Sequence, residues 1–119
     1  MKHILIVDDD ALVLSLMGRA LPEFRLTIAH DGDEALAIAS QLPVDLVITD
    51  YLMPSMMGDE LIGRLRERRP TLKVLIVTGH GEVLAEENPD WWHSEAHVTK
   101  PFTIDTLREA VIGLIGLPV

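Results

Sequence analysis

The chain contains no cysteine. Disulfides and thiolate metal sites are therefore excluded, and the redox compartment is left unconstrained. Positive charge is scarce: 10 lysines and arginines face 19 aspartates and glutamates, a formal net charge of −9. That balance argues against nucleic acid, which is held by neutralising phosphates with Lys and Arg, and against anionic membrane surfaces. Long apolar runs are also missing. The opening run, "HILIV", is too short for a signal-peptide core and meets "DDD" directly. Nothing approaches the roughly 20 apolar residues of a membrane span. These absences predict a cytoplasmic protein. No repeat, low-complexity segment or linker interrupts the 119 residues, so a single domain over 1–119 is expected. Aromatic residues are few: two tryptophans, one tyrosine and two phenylalanines. Both tryptophans stand side by side, at 91 and 92, just after Pro89.

Short runs rich in Ile, Val, Leu and Thr alternate with helical patterns. Segments 2–7, 25–29, 45–49, 73–78 and 96–99 read as strands. Three of them are nearly continuous in apolar residues, the mark of strands covered on both faces in a parallel sheet. Helices are predicted over 11–21 behind Asp10 as N-cap, over 33–40 with an acidic start, over 58–68, and over 104–115 behind Thr103. Arg64, Arg66, Arg68 and Arg69 read as a solvated face near a helix C-terminus. The alternation implies a doubly wound α/β sheet with right-handed crossovers.

In such sheets the ligand site lies beyond the carboxyl ends of the strands. The first strand ends in Asp8, Asp9 and Asp10, the third in Asp50, the fourth in Thr78 and the fifth in Lys100. Carboxylates Asp8, Asp9 and Asp50 converging on one rim would repel. A hard divalent cation with oxygen ligands, Mg²⁺ above all, relieves that. Lys100 offers a positive point charge and Thr78 a hydroxyl donor. Together they describe a phosphorylatable carboxylate: an aspartate nucleophile, a metal that offsets charge, and two donors around the transferred group.

The stretches "ILIVDDDA", "DLVITDYLMPSMMGDEL", "VLIVTGHG" and "VTKPF" resemble the motifs of response-regulator receiver domains of two-component signalling, a resemblance that covers the whole chain. It implies a flavodoxin-like, five-stranded parallel sheet of order 2-1-3-4-5, an order for which the family itself is a standard example. It implies that Asp50 accepts a phosphoryl group from a histidine kinase or histidine phosphotransfer domain, with Thr78 and Lys100 on the phosphoryl oxygens. The implied metal ligands are Asp9 directly, Asp8 largely through water, Asp50, and the backbone carbonyl of Leu52. Met53, Pro54 and Gly58 match the loop after the phosphorylated strand, and Pro101 matches a position whose peptide is usually cis. The chain would be no enzyme, apart from assisting its own phosphorylation and dephosphorylation. Its output would be binding of an unidentified partner at the face of the fourth helix, fifth strand and fifth helix. The expected state is a monomer or weak dimer.

Some positions depart from the family. His97 replaces the Tyr or Phe often found three residues before the lysine. It is either a half-buried edge-strand residue or a smaller, ionisable switch. Gly79 replaces the usual alanine after Thr78. Leu52 and His80 flank the reaction centre. Leu52 is expected to exclude water, and His80 is either a solvated loop residue or an influence on the acyl phosphate. An aspartyl phosphohydrolase would need an Asp at position 52, and a flavin carrier would need a phosphate loop in place of "DDDA". A receiver excised from a hybrid histidine kinase is the remaining alternative, although "MKHILIV" and "GLPV" favour a stand-alone protein.

The stretch "NPDWWHSEAH" is the largest departure. Pro89 cannot continue a helix begun by "GEVLAEEN", whereas Asn88, Pro89 and Asp90 suit a helix start. The expectation is a short fourth helix beginning near Pro89, or a helix broken in two there, with Gly79–Asn88 as a long mobile loop. One tryptophan should fold onto the sheet; its neighbour either lies exposed on the signalling face as a partner hot spot or packs as well.

Overall fold

A computed structural model describes residues 1–118. Five strands form one parallel sheet: β1 (His3–Val7), β2 (Arg25–Ala29), β3 (Leu46–Thr49), β4 (Lys73–Thr78) and β5 (Ala96–Thr99). Their order is β2-β1-β3-β4-β5, as expected. In register, Val7 lies beside Thr49 and Thr78 beside Thr99, so the strand ends that carry polar residues share one rim.

The central strands are buried at every position of β1 and β3. Their side chains alternate between two cores, as the strand period of two requires. Leu5, Val7, Val47 and Ile76 enter the first core, on the side of α2 (Gly32–Gln41) and α3 (Gly58–Arg68). Ile4, Ile6, Ile48 and Leu75 enter the second, against α1 (Ala11–Ala20) and α6 (Ile104–Ile115). Asp10 caps α1 by accepting from the backbone N–H of Leu12 at 2.9 Å, and Thr103 caps α6 by accepting from Thr106 at 3.1 Å. Both caps satisfy donors that a helix start leaves unpaired.

The region after β4 is helical rather than a loop. Helix α4 (Gly81–Glu87) begins three residues after Thr78, and α5 (Pro89–Ser94) follows across a break at Asn88. The broken-helix expectation therefore holds and the mobile-loop expectation over Gly79–Asn88 does not. The run "GEVLAEE" carries enough apolar surface to fold: Leu84 is 4% exposed in the first core. Pro89 acts where the chain rules place it, ending one helix and opening the next. Asn88, however, makes no side-chain cap bond, and α5 starts on the geometry of Pro89 with Asp90 in its first turn.

Both tryptophans pack. Trp92 is 5% exposed in the first core. Trp91 is half-buried rather than exposed, with its ring 5.5 Å from that of Tyr51 at a tilt of 58°, a spacing and angle that aromatic pairs favour. The arginine cluster is more than a solvated face. Arg64 pairs with Glu60 at 2.7 Å on the surface, but Arg66 reaches Glu95 at 2.5 Å and the Leu72 carbonyl at 3.2 Å, and Arg69 donates to the Val44 carbonyl. Arg66 thus ties the end of α3 to the start of β5. Among the described residues no helix is long and apolar enough to cross a membrane.

Candidate functional site

Each site residue stands where a strand stops. Asp8 follows β1, Asp50 follows β3, Thr78 ends β4 and Lys100 follows β5. Sheet pairing is continued past these ends: Asp50 N–H donates to Val7 O at 3.4 Å, and Lys100 N–H donates to Thr78 O at 2.8 Å. The backbone therefore fixes the spacing of the side chains.

Three of the expected residues meet directly. Lys100 Nζ donates to Asp50 Oδ2 at 3.0 Å and to Asp8 Oδ2 at 3.2 Å. The other oxygen of each carboxylate is held by backbone. Asp8 Oδ1 accepts from Asp10 N–H at 2.9 Å, and Asp50 Oδ1 accepts from Tyr51 N–H at 2.7 Å and Leu52 N–H at 3.3 Å. The Asp8 side chain is 6% exposed, that of Asp50 18% and that of Lys100 22%. Burial acts to lower the Lys100 pKa. The hydrogen bond and charge of Asp50, joined by Asp8, outweigh it and hold the ammonium above its ordinary range. The peptide from Lys100 to Pro101 is cis.

Thr78 is fully buried, and its Oγ1 accepts from the His80 N–H at 3.2 Å. Asp9 is the exception to the expected convergence. It lies exposed on the same rim, and among the described residues no three acidic or histidine side chains gather into one metal cage. Asp8 turns in to Lys100, and Asp9, one residue on, faces solvent.

The donor set still fits a hard cation. Asp8, Asp9 and Asp50 offer only carboxylate oxygens, and a single ammonium leaves two of their three negative charges unbalanced. Mg²⁺ characteristically takes one or two carboxylates and keeps its waters, so it needs no three-carboxylate cage.

Gly58 sets the loop geometry. A Cβ there would lie 2.6 Å from the Asp50 carbonyl oxygen and 2.9 Å from Tyr51 Cα. Its N–H donates to Tyr51 O at 2.7 Å. The start of α3 thus presses on the residue that the site is built around, and only glycine fits.

Leu52 is 50% exposed and lies with His80 and Val83 along a groove of about 410 Å³ beside Asp50. His97 is exposed, not half-buried. Its ring stacks on Trp92 with centroids 3.7 Å apart and planes at 15°, and Nδ1 lies 3.1 Å from Trp92 O and 3.0 Å from Glu95 O. This stack is a feature the sequence reading missed. The adjacency of "WW" to a strand containing His97 was its signal, but only the break at Asn88 turns Trp92 onto that strand.

A family model for the response regulator receiver domain matches residues 4–112. The chain belongs to the response regulator receiver family. The receiver is 32% identical over 111 residues to the transcriptional regulatory protein GlrR of Escherichia coli, covering 92% of this chain but only 25% of that protein. It thus spans about a quarter of that relative's length. It is 32% identical over 112 residues to the sporulation initiation phosphotransferase F of Bacillus subtilis, covering 92% of this chain and 90% of that protein. Among solved structures, the chemotaxis response regulator CheY4 of Vibrio cholerae superimposes with a TM-score of 0.83 at 28% identity, covering 96% of this receiver and 98% of that chain. The receiver is accordingly a homologue of phosphorylatable response regulators. Receivers of this family work with histidine kinases or phosphotransfer proteins.

Proposed function

We propose that Asp50 is the phosphoryl acceptor of this receiver and that the modification alters binding to a downstream partner. The observation that carries this is the double contact of Lys100 Nζ with Asp50 Oδ2 and Asp8 Oδ2. It places one cation on the one strand-end carboxylate that is both partly open and held at a fixed angle by the backbone. In the reaction an Asp50 oxygen attacks phosphorus of a phosphohistidine. An acyl-phosphate P–O bond forms, the P–N bond breaks, and the imidazole leaves with its electron pair and takes up a proton. Lys100 neutralises charge on the phosphoryl oxygens, and the Thr78 hydroxyl donates to one of them. Asp8, Asp9, Asp50 and the Leu52 carbonyl would hold Mg²⁺, which offsets negative charge on the transferred group.

The donor's approach is supported by apolar surface beside the acceptor. Leu12 of α1 is 71% exposed, and it borders, with Phe102 and Pro101, a cleft that also contains Lys100. A helical kinase or phosphotransfer surface can rest there with its histidine over Asp50. The receiver assists its own phosphorylation and dephosphorylation and catalyses nothing else.

Incubation of the purified receiver with phosphoramidate and Mg²⁺ tests the reading. Mass spectrometry should find one phosphoryl group, lost on Asp50→Ala. Equal labelling of the Asp50→Ala protein would defeat the assignment.

A further inference from the structure

We propose that the cleft between the ends of α2 and α3 is a docking site for a partner segment that carries bulky apolar side chains flanked by carboxylates. The cleft lies at the opposite end of the sheet from Asp50: the whole of β3 separates Val44, on its wall, from the acceptor. A contact made there leaves the phosphorylation site free.

The floor of the cleft is apolar. Val44, Leu65 and Leu72 are buried members of the first core, and Leu36 and Ala39 are half-buried against it. The cleft they line measures about 290 Å³. The gap comes from the composition of α2, whose last turn offers only the small side chains of Ala39 and Ser40 where α3 presents Leu65. Larger side chains there would close it, since interiors pack to near crystal density. The volume is at the small end of ligand sites. It suits one or two apolar side chains rather than a lipid chain or a cofactor.

The rim is cationic in a chain that is otherwise acidic. Arg64, Arg66, Arg68, Arg69 and Lys73 are half of the 10 lysines and arginines, in a chain of net charge −9. A helix C-terminus carries about half a negative charge, far less than this cluster supplies. Arg64 and Arg66 are taken by Glu60 and Glu95. Arg68 and Arg69 line the cleft itself and are exposed, and neither enters an ion pair among the described residues. Glu67, between Arg66 and Arg68, does not line it. Arg69 donates one N–H to the Val44 carbonyl, which anchors its guanidinium on the wall. Guanidinium groups grip carboxylates through paired bonds, and an apolar pocket within a polar rim is the form of an interface hot spot. Nucleic acid and an anionic membrane are extended anions that would also meet the rest of this acidic chain. A short acidic segment stays within the patch, and carboxylates beyond about 10 Å are screened at 0.1 M salt.

The probe is a fluorescein-labelled peptide with leucine and phenylalanine one helical turn apart and glutamates on both sides. Its binding is followed by fluorescence anisotropy and by amide NMR of the receiver. It should bind, with shifts gathered at Leu36, Ser40, Leu65, Arg68 and Leu72. Arg68→Glu changes an exposed residue, and Ala39→Leu fills the cleft without altering charge. Each should weaken binding about tenfold, an ordinary loss for one interface anchor. If Ala39→Leu is unstable, Arg68→Glu decides alone. The same peptide with lysine for glutamate should not bind. Phosphoramidate labelling of the peptide-bound receiver should run at the rate of the free one. Absent binding, shifts elsewhere, equal binding of the lysine peptide or full affinity in Arg68→Glu overturns the docking site. Slowed labelling overturns its separation from Asp50. Self-association of the receiver that Arg68→Glu abolishes gives the cleft to a second copy and overturns the partner reading.

Discussion

At the scale of single residues, the site is governed by how many oxygens the backbone has already claimed. Asp50 gives one oxygen to two N–H groups and presents the other to Lys100. Leu52 donates the second of those N–H groups while its side chain stands half in solvent. An apolar side chain there can keep attacking water from the acyl phosphate. Leu52→Asn should shorten the phosphorylated lifetime several-fold, measured by loss of label after the donor is removed. An unchanged lifetime removes Leu52 from that role. Gly58 makes a sharper case. Its missing Cβ would fall 2.6 Å from backbone oxygen, which cannot move aside as a side-chain tip could. Gly58→Ala should cost about 1–3 kcal/mol, the usual range for forced overpacking, and should slow phosphorylation because the displaced group is Asp50 itself. Urea unfolding and labelling kinetics would read the two effects separately. Lys100 supplies a pH prediction. Its folded pKa is raised, so the stability it contributes is fully present below the unfolded lysine pKa and is lost only as pH rises through the higher folded value. The stability difference between the wild type and Lys100→Met should therefore stay level across neutral pH and shrink only in the alkaline range beyond ordinary lysine titration.

At the scale of elements, the break at Asn88 decides what the two tryptophans do. Trp91 and Trp92 are consecutive on α5, so they point in different directions, and the helix start at Pro89 sets which. Trp92 turns to Gly81 and His97, and Trp91 turns to Tyr51, one residue beyond the acceptor. Pro89→Ala frees the unfolded chain and restores the N–H that a continuous helix needs. It should destabilise the receiver by about 0.5–1 kcal/mol and, by loosening the stack of Trp92 on His97, change the tryptophan emission. An unchanged emission spectrum would show that α5 holds its place without the proline. Chain rules made the break legible because Pro89 acts on its own backbone. They left α4 open between the first half of a broken helix and a loop: what decides it is Leu84 entering a core formed by distant strands, which local sequence does not contain. The same contrast holds in the site. Asp8, Asp50, Thr78 and Lys100 were readable because each terminates a strand, and parallel strands end on one rim. The outward turn of Asp9 and the stack on His97 depend on bends and packing between segments far apart in the chain, so neither could be read from residue order.

At the scale of the whole molecule, the formal charge of −9 is the dominant feature, and the site concentrates it. Self-repulsion opposes a compact state, and screening relieves it over distances beyond about 10 Å at 0.1 M salt. The ion pairs pull the other way, but the one joining Glu60 to Arg64 is a surface pair, which contributes little and is itself screened, and the half-buried, two-pronged pair of Glu23 with Arg108 is a single local contact. Sodium chloride should therefore raise the melting temperature modestly. Magnesium chloride at matched ionic strength should raise it further if Asp8, Asp9 and Asp50 form a site, because a ligand that binds only the folded state adds RT ln(1 + [L]/Kd), about 2.7 kcal/mol at a hundred times Kd. Asp9 separates the two effects. It is exposed and bound to no cation among the described ion pairs, so its loss leaves packing intact. Asp9→Asn should keep the sodium chloride response and lose most of the magnesium-specific increment, measured by thermal melts at matched ionic strength. An increment preserved in full would place the cation on Asp8 and Asp50 alone and take Asp9 out of the site.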